Sequence, residues 1–158
     1  MIILDNLPLP PSSNMCYPTF NGRRVRSKAL RDFEKEMLLW RDSNWEVVER
    51  TKLETVSWMR KGFQLCVDCY FIFDHSRLWT LKNEVKTLDA SNFVKPMHDA
   101  IAAMIGIDDK HFFSGVAEKI STERSRECAI VVISQMKPRT EISIREHLMD
   151  TVVGALRP

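Results

Sequence analysis

Hydrophobic and polar positions change period several times along the chain. Residues 1–8, MIILDNLP, form a short apolar run that reads as a first strand, ended by the proline-rich stretch LPLPPSSN. A basic loop, NGRRVRSK, follows. Over 27–42, Leu30, Phe33, Met37 and Trp40 recur at helical spacing behind Ser27, a residue suited to an N-cap. Residues 45–59, WEVVERTKLETVSWM, also read as helix, although their β-branched side chains weaken the pattern. Gly62 breaks it, and GFQLCVDCYFIFD predicts a strand over 63–73. WTLKNEVK predicts a second strand within 78–86. A helix then runs to about Ile105, where Gly106 suits a C-terminal cap. HFFSGVAEKI and ECAIVVISQ predict an antiparallel pair around the turn STERSR, and the tail segment EISIREHLMDTVVGAL predicts one amphipathic helix. No repeat or linker divides the chain. Elements mixed in this way predict an α+β fold, a single compact domain whose mixed sheet of about four to five strands carries packed helices.

Composition agrees and removes some classes. At 158 residues, 44% hydrophobic and 28% charged, the chain suits one domain with a substantial core. A formal charge of +2 does not mark a nucleic-acid binder, so any basic surface must be local. No run approaches the roughly 18 apolar residues of a membrane span. The amino terminus meets Asp5 and prolines before a signal-peptide core could form, so a cytoplasmic location is expected. The one close cysteine pair, Cys66 and Cys69, lies in a predicted strand, where residues three apart face opposite sides. A shared zinc ion is therefore not expected there, and none of His75, His98, His111 and His147 stands at a convincing metal-ligand spacing.

The segment 86–109, KTLDASNFVKPMHDAIAAMIGIDD, is the richest in candidate chemistry. At about 100° per residue, Asp89, Asn92, Lys95 and Asp99 fall within an arc of roughly 120°. Phe93, Met97, Ile101 and Met104 fall opposite, so one face is buried and the other presents an acid, an amide, a lysine and an acid. Pro96 disfavours helical geometry at Lys95, which predicts an irregular first turn, a regular helix from Pro96 and Asp89 in a preceding loop. Spacing alone is equally met by a solvated face whose acids complement a helix dipole, with Asp108-Asp109 in an ordinary turn.

Two motifs in order change that balance. The spacing Asp89-x-x-Asn92-x-x-Lys95-x-x-x-Asp99, then Asp108-Asp109, resembles the core motif of RusA-type Holliday-junction resolvases. Upstream, Pro10, Pro11, Ser12, Asn14, Gly22, Arg23 and Ser27 resemble the same family's amino-terminal pattern. The resemblance covers about residues 4 to 136; the 43–62 region is longer than usual, and residues 137–158 read as a C-terminal helical extension to a 1–136 endonuclease domain.

The resemblance implies a phage or prophage endonuclease that cuts four-way DNA junctions with Mg²⁺ and no small-molecule cofactor. Its metal-binding carboxylates carry over to Asp89 and Asp109, with Asp108 beside them, and its catalytic lysine to Lys95. Asn92 and Asp99 would lie just behind the metal. Ser91 stands where the family usually has a second acid, and a hydroxyl is a poorer magnesium ligand than a carboxylate. Either Asp108 or Asp99 compensates, the metal is held weakly, or the protein binds junctions without cutting them well. Asn14, Arg23, Arg24, Arg26 and Lys28 would meet DNA phosphates, with Arg31 one helical turn beyond. A four-way junction has approximate two-fold symmetry and needs two cuts, so a C2 homodimer is expected. The rival readings are a junction-binding protein without cleavage and a protein-interaction domain.

Overall fold

The computed structural model describes residues 1–123 and 126–138. The expected tail helix and His147 lie outside the described residues. Strand β1 (Ile2–Leu7) buries Ile2, Leu4 and Leu7. Its alternation skips one residue because Asn6 adopts φ 54 and the pairing register shifts between Leu4 and Leu7. The proline-rich stretch leads into the single turn α1 (Ser13–Cys16). The basic segment, expected as a loop, is in part a small hairpin of β2 (Thr19–Phe20) and β3 (Arg23–Arg24). Asn21 and Gly22 both have positive φ between its strands, the backbone that a two-residue Asn-Gly turn favours.

Helix α2 (Lys28–Ser43) starts as expected, with Ser27 Oγ accepting the Leu30 amide at 3.0 Å. Helix α3 (Trp45–Arg60) follows after Asn44. Its buried Thr51 and Thr55 are tolerated because their hydroxyls donate to the Val47 and Thr51 carbonyls at 2.7 and 2.8 Å. Strand β4 (Gln64–Asp74) alternates without a break: Leu65, Val67, Cys69, Phe71 and Phe73 are buried, and the residues between them are half-buried. Cys66 and Cys69 therefore face opposite sides, and all four thiols are free. Burial pushes the Cys69 thiol up to about 12.

After the single turn α4 (His75–Leu78), the strand expected over 78–86 is absent. Only a bridge between Trp79 and Val85 remains there. The polar run from Lys82 to Glu84 reverses the chain instead, with Asn83 at φ 57 and its amide on the Thr80 carbonyl at 3.0 Å.

Helix α5 (Ser91–Ile105) corrects a second expectation, since it begins five residues ahead of Pro96 and includes Lys95 in a regular turn. Tertiary packing outweighs the local proline rule. Phe93 is buried against Phe71 and Phe73, with ring centroids 5.6 and 5.3 Å apart, which holds the first turn on the sheet. Asp89 lies in the preceding loop, as expected. Gly106 closes the helix at φ 69, left-handed as expected.

A 3₁₀ turn (Asp109–His111) leads to β5 (Phe112–Ser114), β6 (Ala117–Thr122) and β7 (Cys128–Met136). The last two strands are not the antiparallel pair expected. β5 and β6 run parallel to β4 on one of its edges, whereas β7 pairs antiparallel with β4 on the other and with β1 beyond. The chain from β4 through α5 is the crossover that parallel pairing needs, so β6 takes one edge of the long buried strand and β7 the other. Gly115 permits this close passage, since a Cβ there would lie 1.9 Å from the Val67 carbonyl oxygen.

The outcome is the expected α+β fold, a five-stranded mixed sheet with helices on it. Buried residues of β1, β4 and β7 pack against Leu30, Phe33 and Met37 of α2 and Phe93, Met97 and Ile101 of α5. Among the described residues, no helix is long and apolar enough to cross a membrane.

Candidate functional site

Helix α5 presents its polar face at the mouth of a cavity of about 660 Å³, enclosed by α1, β3, α2 and α5. Its wall includes Asn14 from the amino-terminal pattern, Arg24 from the basic segment, and Lys95 and Asp99 from the α5 pattern. Two segments some seventy residues apart in sequence thus share one concave surface. A direct bond ties them, for Ser13 Oγ donates to Asn92 Oδ1 at 3.3 Å. Asn92 is thereby oriented from α1 rather than from its own helix.

Lys95 is the hub of the charged cluster. Its Nζ donates to Asp109 Oδ2 at 2.5 Å and to Asp99 Oδ1 at 2.6 Å. Asp99 is one turn along the same helix, whereas Asp109 arrives from the 3₁₀ turn beyond Gly106. The bonds to Asp109 and then Asp99 hold the lysine above its ordinary range. Lys95 is therefore a permanent cation near neutral pH, suited to a phosphate oxygen and unsuited to accepting a proton.

The other acids are each engaged locally. Asp89 Oδ1 accepts the Ser91 amide at 2.9 Å at the start of α5. Donation from the Ser91 amide and hydroxyl, with Lys119 nearby, holds its carboxyl below the usual range. Asp108 caps the 3₁₀ turn through the Lys110 amide at 3.0 Å and pairs with Lys110 Nζ at 3.1 Å. That backbone bond, with the Lys110 ammonium, lowers its pKa.

The structure thus joins Lys95 with Asp99 and Asp109, and Asn92 with Ser13. Among the described residues, it assembles no group of three or more His, Cys, Asp or Glu side chains able to hold a metal ion. By type, the carboxylate oxygens of Asp89, Asp108 and Asp109 suit Mg²⁺. That ion is commonly held by only one or two protein carboxylates, with waters and substrate phosphates completing its shell.

The basic segment divides in two. Arg26 pairs with Glu34, and Lys28 with Asp32 at 2.5 Å, so half of its charge is spent within the protein. The Arg31 guanidinium donates to the Arg26 carbonyl at 2.6 Å. Arg23 and Arg24 are exposed on the hairpin, and their side chains carry no ion pair among the described residues. His98, one turn from Lys95, packs edge-on to Phe112 with centroids 5.2 Å apart, and burial lowers its pKa. Its Nε2 is buried with no hydrogen-bond partner.

Sequence reasoning missed Tyr17, Glu34 and Arg41, which also line the cavity. A signal existed on α2: Glu34, Leu38 and Arg41 follow one another at helical spacing, flanking the buried Phe33 and Met37.

No family model matches the chain, and no curated protein matches it in sequence.

Proposed function

We propose that the protein is a structure-specific endodeoxyribonuclease that binds four-way DNA junctions as a C2 homodimer and hydrolyses them in the presence of Mg²⁺. The observation that carries this reading is the shared cavity: Asn14 from one motif, Arg24 from the basic segment, and Lys95 and Asp99 from the other motif line the same space. On this reading Arg23 and Arg24 meet backbone phosphates, with no base-reading element beside them. Lys95, held cationic between two carboxylates, stabilises charge on the phosphate under attack. Asn92, fixed by Ser13, orients a neighbouring carboxylate or water. One or two of Asp89, Asp108 and Asp109 would hold the ion, with waters and substrate phosphate completing its shell. When bound there, Mg²⁺ supplies a polarised phosphoryl oxygen and a more acidic water.

One observation favours a second reading, a junction-binding protein that cuts poorly. Ser91 spends its amide and hydroxyl on Asp89 where the resembled family has another acid, and no three-acid group is assembled among the described residues. A synthetic four-way junction and a matching linear duplex, each incubated with and without Mg²⁺, separate the readings. Paired, metal-dependent nicks in the junction alone support the enzyme. Tight junction binding without nicks supports the second reading, and equal affinity for both DNAs or none defeats both.

A further inference from the structure

The cavity beside Lys95 has a property that phosphate binding does not require. Its wall is largely apolar: Leu30, Phe33 and Met37 of α2 face Met104 of α5 across it. A surface that only tracks a DNA backbone needs cations and no such recess. The polar groups around it are also unevenly committed. Glu34 is taken by Arg26, Asp99 by Lys95, and Arg41 by Asp42 at 2.8 Å. Arg24 lines the same cavity with no ion pair among the described residues, so the uncommitted charge at its mouth is positive. The complement is a body with an apolar face and an anionic group at one end. About 660 Å³ lies in the range, about 300–1,000 Å³, that encloses a ligand of drug size.

Resting on the proposed action on branched DNA, we infer that this cavity receives one nucleotide extruded from the branch point. Its base enters between α2 and α5, and its phosphate stays outside on Arg24. Asn14 and Tyr17 line the same space and offer an amide and a phenol to the base edge. A paired base cannot enter, because its faces are covered by its neighbours in the stack. Extrusion costs a few kcal/mol, and less at a branch point, where the last pair of an arm can lose a stacking neighbour, than inside a continuous duplex. The cavity would therefore contribute to preference for a junction over a linear duplex without reading sequence.

The test uses the full chain and a junction carrying 2-aminopurine at the crossover, a base whose fluorescence rises when it is unstacked. Ala103 lines the cavity from an exposed position on α5, so Ala103→Trp fills the recess without repacking the core. The wild-type protein should raise the fluorescence on binding. Ala103→Trp should abolish the rise and weaken junction binding about tenfold, the order of one lost base contact, while linear-duplex binding stays unchanged. Ala103→Ser should behave as wild type, and an abasic site at the crossover should weaken wild-type binding by a similar factor. The inference is overturned if the wild type binds the junction with no fluorescence change, or if Ala103→Trp matches it in both readouts while circular dichroism shows it folded. If anisotropy detects no junction binding by the wild type, the proposed function itself fails and takes the inference with it.

Discussion

Ser27 belongs to the amino-terminal pattern that suggested DNA binding, yet the structure gives it a structural task. Its hydroxyl oxygen accepts the Leu30 amide at 3.0 Å and caps α2, the helix that forms one wall of the cavity. Ser27→Ala leaves that amide without its cap. Such losses cost about 1 kcal/mol, within a range of roughly 0.5–2. With a urea m-value of about 1–3 kcal/mol/M for a small protein, the unfolding midpoint should fall by about 0.3–1 M. The melting temperature should fall by about 2–4 °C for a chain of this size. Ser27→Asp retains a capping oxygen and places a negative charge at the positive end of the helix, so it should recover most of the loss. Equilibrium urea unfolding of the three proteins, followed by circular dichroism, supplies the stabilities, and fluorescence anisotropy with a labelled junction supplies the affinities. Junction affinity should be the same for the wild type and Ser27→Ala under conditions where each is folded, whereas the added charge of Ser27→Asp should lower it. The capping argument is refuted if Ser27→Ala unfolds at the wild-type midpoint, or if Ser27→Asp is no better than alanine. A Ser27→Ala affinity that drops with no change in stability would make Ser27 a DNA contact.

Asp89→Asn should abolish metal-dependent nicking while junction binding persists or tightens, because it removes a carboxylate and its repulsion of phosphates; nicking at the wild-type rate would remove Asp89 from the site. Arg23→Ala combined with Arg24→Ala should weaken junction and duplex binding together, and the log–log salt slope should shrink by about one unit per lost phosphate contact. A slope equal to that of the wild type would show that the hairpin does not touch the backbone. Ser91→Asp replaces a donor to Asp89 with a like charge, so the Asp89 pKa should rise and nicking should fall away at a higher pH on the acid side. Rate–pH profiles of nicking at fixed Mg²⁺ and ionic strength check this, and superimposable curves would show that position 91 does not act on the site.

Local patterns carried much of the fold. The unbroken alternation from Gln64 to Asp74 marked the central strand, and the apolar spacing of 27–42 with Ser27 ahead of it marked α2 and its cap. Strand partners were not legible, because a period of two says which face is buried and nothing about which strand lies alongside. β6 and β7 are close in sequence and were expected to pair, yet β4 lies between them. Pro96 misled for a related reason: its steric rule is local, and the burial of Phe93 that overrides it depends on residues some twenty positions upstream, Phe71 and Phe73. At the site, the family resemblance, not spacing, selected Lys95 and Asp109, and the two side chains meet; spacing put Asp99 on the same strip as Lys95. It could not show that Asp109 would return to the same lysine from beyond Gly106, nor that α2 would line the cavity.

The charges around Lys95 bear on how DNA could approach. Lys95 with Asp99 and Asp109 carries a net charge near −1, and Asp89 adds another, while Asp108 is offset by Lys110. A phosphate placed among these groups is repelled, despite the lysine, unless further positive charge arrives. Arg23 and Arg24 supply some of it from the hairpin side, and Arg24 does so from the cavity wall itself. On the proposed reading, the arginines set affinity for DNA, and the acids would hold a divalent cation whose charge would offset theirs beside Lys95. The two contributions then differ in kind. Loss of the arginines changes binding to every DNA and its salt dependence, whereas loss of an acid changes cleavage and its metal dependence with binding kept. A single patch that did both jobs would show both effects in every variant, so the separation of these phenotypes follows from arginines and acids standing on separate elements, the hairpin on one hand and α5 with its flanking turns on the other.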